Sequence, residues 1–334
     1  MVYLRNIVRG AAIFVTCVLV MCSYNVSKAQ SGASAPTFDV AGFFQQQLIF
    51  DQTPDSPTRF YIHRARLGVT GTITENISIN LIGGYSEPPD NTPRLVNGFV
   101  DFDIHPLLQL RAGQFLLPFG LESPEPIFLN PAIERSLATR RLNTFTMFRD
   151  VGVQASGRNS SFNYAAAVVN GAGANNLEET EPKDVMGRVG IMLLEELELG
   201  LSGHLGRYQP DPLSDNDESR QRAGVDISYE GDPVFVRGEY ILRQDEQPGG
   251  NSMKMNGGHL LAGYQVTENL EAIARFEYYE PNTDMDDDTL TAFTIGASYY
   301  FIENTRLSVN YDIRDDQLNP DLGNLLVVQM QVAL

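Results

Sequence analysis

The chain has 334 residues, a net charge of −18, no tryptophan and only two cysteines. So acidic a protein is a poor partner for nucleic acid, because phosphate backbones attract basic surfaces. Both cysteines, Cys17 and Cys22, lie near the N-terminus, so the rest of the chain has neither disulfides nor thiolate metal sites.

The N-terminal segment has the features of a signal peptide. Arg5 and Arg9 precede a short apolar stretch, and small residues at Ser27 and Ala29 occupy the positions that a signal peptidase recognises. The apolar stretch is too short to cross a bilayer as a helix. We therefore predict that residues 1–29 are removed and that residues 30–334 form a single exported domain.

After this segment the chain repeats one unit, an alternating segment of about ten residues followed by a break. In the segment 306–314, Leu307 and Val309 fall on one face while Ser308 and Asn310 fall on the other. Period two indicates a strand with one apolar and one polar face. The alternation predicts sixteen strands, beginning near Thr37, Arg59, Ile77, Leu95, Leu108, Asp150, Phe162, Val185, Leu197, Arg220, Val234, Gly257, Leu270, Leu290, Arg306 and Asn324.

The breaks between these segments alternate between short and long. The short ones are Glu75-Asn76, Pro106-Leu107, Asn159-Ser160, Glu195-Glu196, Gly231-Asp232, Glu268-Asn269 and Glu303-Asn304. The long ones are Asp51–Thr58, Glu87–Arg94, Leu117–Arg149, Gly171–Asp184, Gln209–Ser219, Gln244–Asn256, Pro281–Thr289 and Asp315–Gly323. Short turns on one side and long loops on the other are typical of barrels of the bacterial outer membrane. This pattern predicts an all-β, sixteen-stranded antiparallel barrel in that membrane, with both termini on the periplasmic side.

Most of the long loops are acidic. The acidic residues are Asp284, Asp286, Asp287, Asp288, Asp211, Asp215, Asp217, Glu218, Glu178, Glu179 and Glu181. The simpler interpretation is a solvated outer rim. The functional interpretation is that divalent cations bridge these carboxylates to lipopolysaccharide. Lipopolysaccharide and membrane lipid would then be partners of the barrel.

One loop, residues 117–149, is far longer than the usual connection. It contains four prolines and several apolar residues, including Phe119, Phe128 and Phe145. A loop so long and apolar should fold onto another part of the protein, so we predict that it enters the lumen as a constriction loop. Its charged residues would then set a transverse field: Glu122, Glu125, Glu134, Arg135, Arg140, Arg141 and Arg149. The alternative is a surface lid or an interface arm.

Period two also turns a set of arginines toward the lumen. An arginine that faced lipid at mid-membrane would cost about 2–4 kcal/mol, which favours the same orientation. The predicted pore-lining residues are Arg64, Arg66, Arg111, Arg188, Arg222, Arg237, Arg275 and Arg306. They would form either a ladder for anions or a neutral lattice with inward acids, namely Asp101, Asp103, Asp226, Glu239, Glu271 and Glu277.

The sequence offers no sign of catalysis. The four histidines, His63, His105, His204 and His259, fall on separate strands or strand ends, and none lies near a nucleophile-elbow motif. We expect no catalytic residues, no metal site and no cofactor. Sixteen strands enclose an aqueous channel, so the expected function is passive diffusion of small polar solutes.

At several of these residues the sequence resembles the phosphate-selective porin O and P family. The matching motifs, in order, are RARLGVTG at 64–71, RAGQF at 111–115, PFGLE at 118–122, RDVGVQ at 149–154, NG at 170–171, GRV at 187–189 and VRGEY at 236–240. The resemblance implies a homotrimeric anion channel that guides phosphate along arginines to a lysine-rich site. The loop 209–219 has no lysine and four acids, so phosphate itself is not implied.

The expected solutes are therefore small anions, phosphate-like in chemistry, or other small polar molecules. Two alternatives stay open. The first is a non-selective or weakly cation-selective general porin, since the acidic rim opposes the arginines. The second is a structural or adhesive outer-membrane barrel without a transport role.

Overall fold

The computed structural model describes residues 35–86, 93–143, 145–177, 183–208 and 218–334. The predicted signal peptide lies outside these residues, as do the acidic residues Glu178, Glu179, Glu181, Asp211, Asp215 and Asp217. No helix in the described part of the chain is long and apolar enough to cross a membrane.

The described residues form one closed antiparallel barrel of sixteen strands, each paired with its neighbours in sequence, and β16 pairs with β1 to close the ring. The strands are β1 (Thr37–Asp51), β2 (Arg59–Thr74), β3 (Ile77–Ser86), β4 (Arg94–His105), β5 (Leu108–Leu116), β6 (Arg149–Arg158), β7 (Phe162–Val169), β8 (Asp184–Met192), β9 (Leu197–Tyr208), β10 (Glu218–Glu230), β11 (Val234–Glu246), β12 (Ser252–Thr267), β13 (Leu270–Glu280), β14 (Leu290–Ile302), β15 (Thr305–Asp316) and β16 (Leu325–Ala333). The predicted fold class and strand number are confirmed.

Side chains alternate between the two faces of the barrel wall, as period two requires. On β9 and β10, Leu201 and Val225 point outward and are 63% and 51% exposed, whereas Ser202 and Asp226 point inward and are buried. Inward amides also close the ring: Gln47 Nε2 donates to Gln329 Oε1 of β16 over 2.8 Å. The outer face is thus the apolar surface that lipid requires.

The connections sort by length as predicted. Seven of them contain two to four residues, and the other eight, at the opposite end of the barrel, contain five to thirty-two. In the last short turn Asn304 adopts a positive φ of 49°, a backbone angle that asparagine tolerates better than most residues.

One strand begins more than two residues from its predicted start, and the start of another reassigns a predicted loop residue. β12 begins at Ser252, five residues before the predicted Gly257. At the start of β12, Met253 and Met255 face the lumen and pack against the constriction loop. Apolar residues thus stand on the side where polar ones were expected, so the alternation did not reveal this part of the strand. Arg149 is the first residue of β6 and not the last residue of the loop, because its backbone pairs with Leu116 of β5.

The segment 117–148 between β5 and β6 contains the only α-helix in the described part of the chain, α1 (Leu137–Leu142). Ser136 caps it, and its side-chain oxygen accepts a hydrogen bond from the Thr139 amide over 3.2 Å. Two short 3₁₀ turns, Ile127–Leu129 and Thr146–Phe148, flank it. This segment, the constriction loop, builds the site described next.

Candidate functional site

The constriction loop lies inside the barrel, in the position that the sequence predicted. Its apolar residues, Phe119, Ala138, Leu142 and Phe145, form a buried cluster with inward residues of the wall, among them Val169, Met186, Ile241 and Met255. A barrel of this size would otherwise hold water at these positions. The largest hydrophobic cluster in the described structure is therefore the contact between the loop and one side of the wall. Two smaller clusters pack Ile133 of the loop against β1 and β16, and Ala132 against β12 and β13.

Polar contacts attach the loop to the same side of the barrel. The Leu137 amide donates to Glu277 Oε1 over 2.6 Å, and the Leu121 amide donates to Glu239 Oε1 over 2.9 Å. Arg275 Nη1 donates to the Glu134 carbonyl over 2.7 Å. Carboxylates that accept backbone N–H groups make strong, charge-assisted hydrogen bonds. Glu239 and Glu277, predicted as lattice residues, therefore serve as anchors of the loop.

On the opposite side, the loop inserts Glu134 among basic residues of β2. Its carboxylate contacts Arg64 Nη2 at 2.9 Å and also accepts a hydrogen bond from His63 Nε2. Burial opposes ionisation of Glu134, but the charges of Arg64 and His63 outweigh it and hold its pKa well below the ordinary value. His63, which the sequence analysis did not select, thus belongs to the site.

Three arginines, Arg64, Arg66 and Arg135, lie around Glu134. Arg66 lies close enough to Arg64, Arg135 and Arg149 for direct electrostatic repulsion. Its guanidinium stacks over Phe43 at 5.1 Å, and its Nε is buried without a hydrogen-bond partner in the described structure. We call Arg64, Arg66, Arg135 and Arg149 the arginine cluster. It leaves an excess of positive charge in the lumen beside the constriction loop.

Two members of the cluster also hold the loop in shape. Arg135 Nε donates to the Glu122 carbonyl over 2.9 Å, its Nη2 donates to the Glu125 carbonyl, and its guanidinium lies over the Phe148 ring at 4.6 Å. Burial lowers the pKa of Arg135 to about 10, with Glu122 opposing and Arg64 adding to the decrease. Arg149 donates to Asn97 Oδ1 over 2.8 Å and to the Met147 carbonyl over 2.7 Å.

Most of the other predicted pore-lining arginines are neutralised. The ion pairs are Arg111 with Asp101 at 2.7 Å, Arg188 with Glu198 at 2.6 Å and with Asp226, Arg237 with Glu230 at 2.7 Å and with Glu125 at 3.1 Å, and Arg275 with Glu277 at 3.1 Å. Arg306 donates to the Tyr300 hydroxyl over 2.9 Å, and Arg222 donates to His204 Nδ1 over 3.0 Å. Ion pairs thus neutralise four of these six arginines, so a neutral lattice describes most of the wall.

The remaining charged loop residues have different environments. Arg140 and Arg141 are exposed, and Arg140 Nε donates to the Arg135 carbonyl over 2.9 Å. Burial opposes ionisation of Glu122, but His259, Arg275 and hydrogen bonds from Ser136 outweigh it and lower its pKa to about 2. Burial raises the pKa of Glu125 above the ordinary value, although Arg237 opposes the shift.

The chain matches one protein-family model over residues 63–325, which is most of its length. That family is described as "Putative beta-barrel porin-2, OmpL-like". The chain belongs to this β-barrel porin family. The resemblance to the phosphate-selective porin O and P family is therefore confirmed only at the coarser level of a β-barrel porin.

Solved structures of outer-membrane proteins show the same fold. A loop-deletion mutant of OmpT, an outer membrane protein of Vibrio cholerae, superposes with a TM-score of 0.71 at 14% identity, covering 90% of this porin and 100% of the mutant chain. The anion-selective porin from Comamonas acidovorans gives 0.68 at 14% identity with the same coverage. The channel DcaP of Acinetobacter baumannii gives 0.67 at 10% identity, covering 90% and 98%. None of the curated proteins matches this chain.

Proposed function

We propose that this porin is an outer-membrane channel for passive diffusion of small polar solutes, with a preference for small anions. The observation that carries the preference is the arginine cluster, in which four guanidinium groups lie together and Glu134 is the only carboxylate that forms an ion pair with them in the described structure. Fixed charges that line a constriction select the ions that pass it. Its structural relative from Comamonas acidovorans, described as anion-selective, has the same fold.

The main competing function is a general porin with weak cation selectivity. The acidic rim favours it, since Asp284, Asp286 and Asp287 are exposed in the loop between β13 and β14. Exposed charges are screened by salt over about 8–10 Å, whereas charges in a narrow lumen are screened less. This difference supports the arginine cluster over the rim as the determinant of selectivity at physiological salt.

The reversal potential in a salt gradient across a planar bilayer tests this proposal. We expect the sign of an anion-preferring channel for the wild type. Arg66→Gln should decrease the anion preference, because it removes a positive charge that forms no ion pair in the described structure. Arg66→Lys is the matched control that keeps the charge and should keep the preference. A cation preference of the wild type would contradict the proposed selectivity, and an absence of conductance would contradict the channel itself.

We further propose that the barrel resides in the bacterial outer membrane as a homotrimer, in contact with lipid and lipopolysaccharide. The apolar outer face supports the membrane location, and one structure of OmpT from Vibrio cholerae is described as a trimer form. The mass of the detergent-solubilised protein by light scattering would distinguish a trimer from a monomer. Migration on a denaturing gel that changes on heating would report the folded barrel.

A further inference from the structure

Three side chains meet where the constriction loop contacts β11 and β12. They are Glu122 of the loop, Glu239 of β11 and His259 of β12, and all three are buried. One ligand atom from each lies within 4.8 Å of the others. Glu239 and His259 are directly opposite each other in the pairing of the two strands, which fixes their spacing through the backbone.

Neither carboxylate has an arginine or a lysine at ion-pair distance in the described structure. Neighbouring inward acids have one: Asp226 contacts Arg188, and Glu277 contacts Arg275. Glu239 makes no ion pair within the described structure, and Glu122 has only a 3.9 Å contact with His259 Nε2. Two buried carboxylates at this separation repel each other, so they require a bound cation or a proton.

His259 is the second, independent indication of a ligand. Its side chain is only 1% exposed, and its Nδ1 is buried with no hydrogen-bond partner. Its Nε2 lies 3.9 Å from Glu122 Oε1 and makes no hydrogen bond in the described part of the chain. Buried imidazole nitrogens are normally hydrogen-bonded or bound to metal. An unpartnered imidazole aimed at two carboxylates is a typical set of metal ligands.

The surrounding backbone already orients both carboxylates. The Ser136 amide donates to Glu122 Oε2 over 2.8 Å, and Glu239 accepts from the Leu121 amide over 2.9 Å and from Thr139 Oγ1 over 3.1 Å. Carboxylates that bind metals are usually held by such outer hydrogen bonds. The loop comes this close because residue 120 is a glycine: a Cβ there would lie 1.9 Å from Glu239 Oε1.

We propose that Glu122, Glu239 and His259 form a binding site for a divalent transition-metal ion such as Zn²⁺, which fastens the constriction loop to the barrel wall. One imidazole and two carboxylates suit Zn²⁺ better than Mg²⁺ or Ca²⁺, which prefer oxygen ligands alone. The ion would neutralise the carboxylate pair and link the loop to β11 and β12. Arg275 and Arg237 are the nearby cations that oppose binding, and both are already engaged by Glu277 and by Glu125 and Glu230. No metal site was expected here from the sequence.

Equilibrium dialysis of the metal-stripped, folded barrel against micromolar Zn²⁺, with the bound metal measured by atomic emission, tests this site. We expect one tightly bound Zn²⁺ per chain for the wild type. His259→Gln and Glu122→Gln should each weaken that binding by about tenfold or more. His105→Gln, which changes an exposed histidine at the end of β4, is the matched control and should bind as the wild type does. Heat-dependent gel migration identifies variants that have folded.

A second measurement separates this site from weak binding by exposed acids. Co²⁺ bound by an imidazole and carboxylates gives visible absorption bands that change when the imidazole ligand is lost. We expect the spectrum of the wild type and of His105→Gln to differ from that of His259→Gln. The proposal is overturned if the wild type binds no Zn²⁺ tightly, or if folded His259→Gln and Glu122→Gln both bind it as the wild type does.

Discussion

Leu142→Ala tests how firmly the constriction loop is packed against the barrel. Leu142 is fully buried, at 0% exposure, in the cluster with Phe119, Ile241 and Met255. A leucine truncated in such a position loses its apolar contacts and leaves a cavity, which costs about 3–5 kcal/mol. Leu129→Ala is the matched control, since Leu129 is in the same loop but is 43% exposed, and we expect it to cost about 1 kcal/mol or less.

Unfolding in urea, followed by far-ultraviolet circular dichroism in detergent micelles, measures this difference. Tryptophan fluorescence is not an option because the chain has no tryptophan. We expect a lower midpoint for Leu142→Ala than for Leu129→Ala, together with a noisier single-channel current, because a loosened loop fluctuates in the lumen. Equal midpoints for the two variants would refute the conclusion that the loop forms the hydrophobic core of the barrel.

Three further predictions concern the attachment of the loop and the closure of the barrel. The pKa of Glu122 falls from 4.5 to about 2 on folding, so its ionised form stabilises the protein above pH 4.5. This contribution should disappear as the pH falls toward 2. Urea midpoints measured across this range should show the loss, and Glu122→Gln should reduce it. Gly120→Ala should destabilise the protein, since the new Cβ would collide with Glu239 and the backbone φ is +73°; an unchanged urea midpoint would contradict this. Gln329→Ala should cost about 1–3 kcal/mol by leaving the fully buried amide of Gln47 without its partner, and a gel assay of heat-dependent migration should show earlier unfolding.

The barrel could be predicted because its determinants are local. Each strand carries its own alternation, and each short turn carries its own turn residues, so boundaries such as Thr37, Arg59 and Leu270 agree with the structure. The sorting of short and long breaks then specifies the topology. The prediction failed where a distant segment changes the environment: at β12, Met255 faces inward because the constriction loop covers it.

The site was less predictable because its contacts are distant in sequence. The loop itself was recognisable from its length, but nothing local pairs Leu121 with Glu239 or Leu137 with Glu277. Arg135 was expected to face the solute, whereas it is buried and donates to loop carbonyls. Period two places arginines on the inner face, yet it cannot distinguish Arg66, which has no ion pair in the described structure, from the ion-paired arginines of the wall.

Chemical modification of single cysteines most directly tests the central claim, that residues 117–148 constrict a conducting pore. The only native cysteines, Cys17 and Cys22, lie in the predicted signal peptide, so the mature protein would offer a background without thiols. Arg141→Cys places a thiol at an exposed position of the loop, and Leu177→Cys places one at a position between β7 and β8 that is 87% exposed. After complete labelling with a bulky thiol reagent, the account predicts a lower single-channel conductance for Arg141→Cys and an unchanged conductance for Leu177→Cys. An unchanged conductance for labelled Arg141→Cys would contradict it.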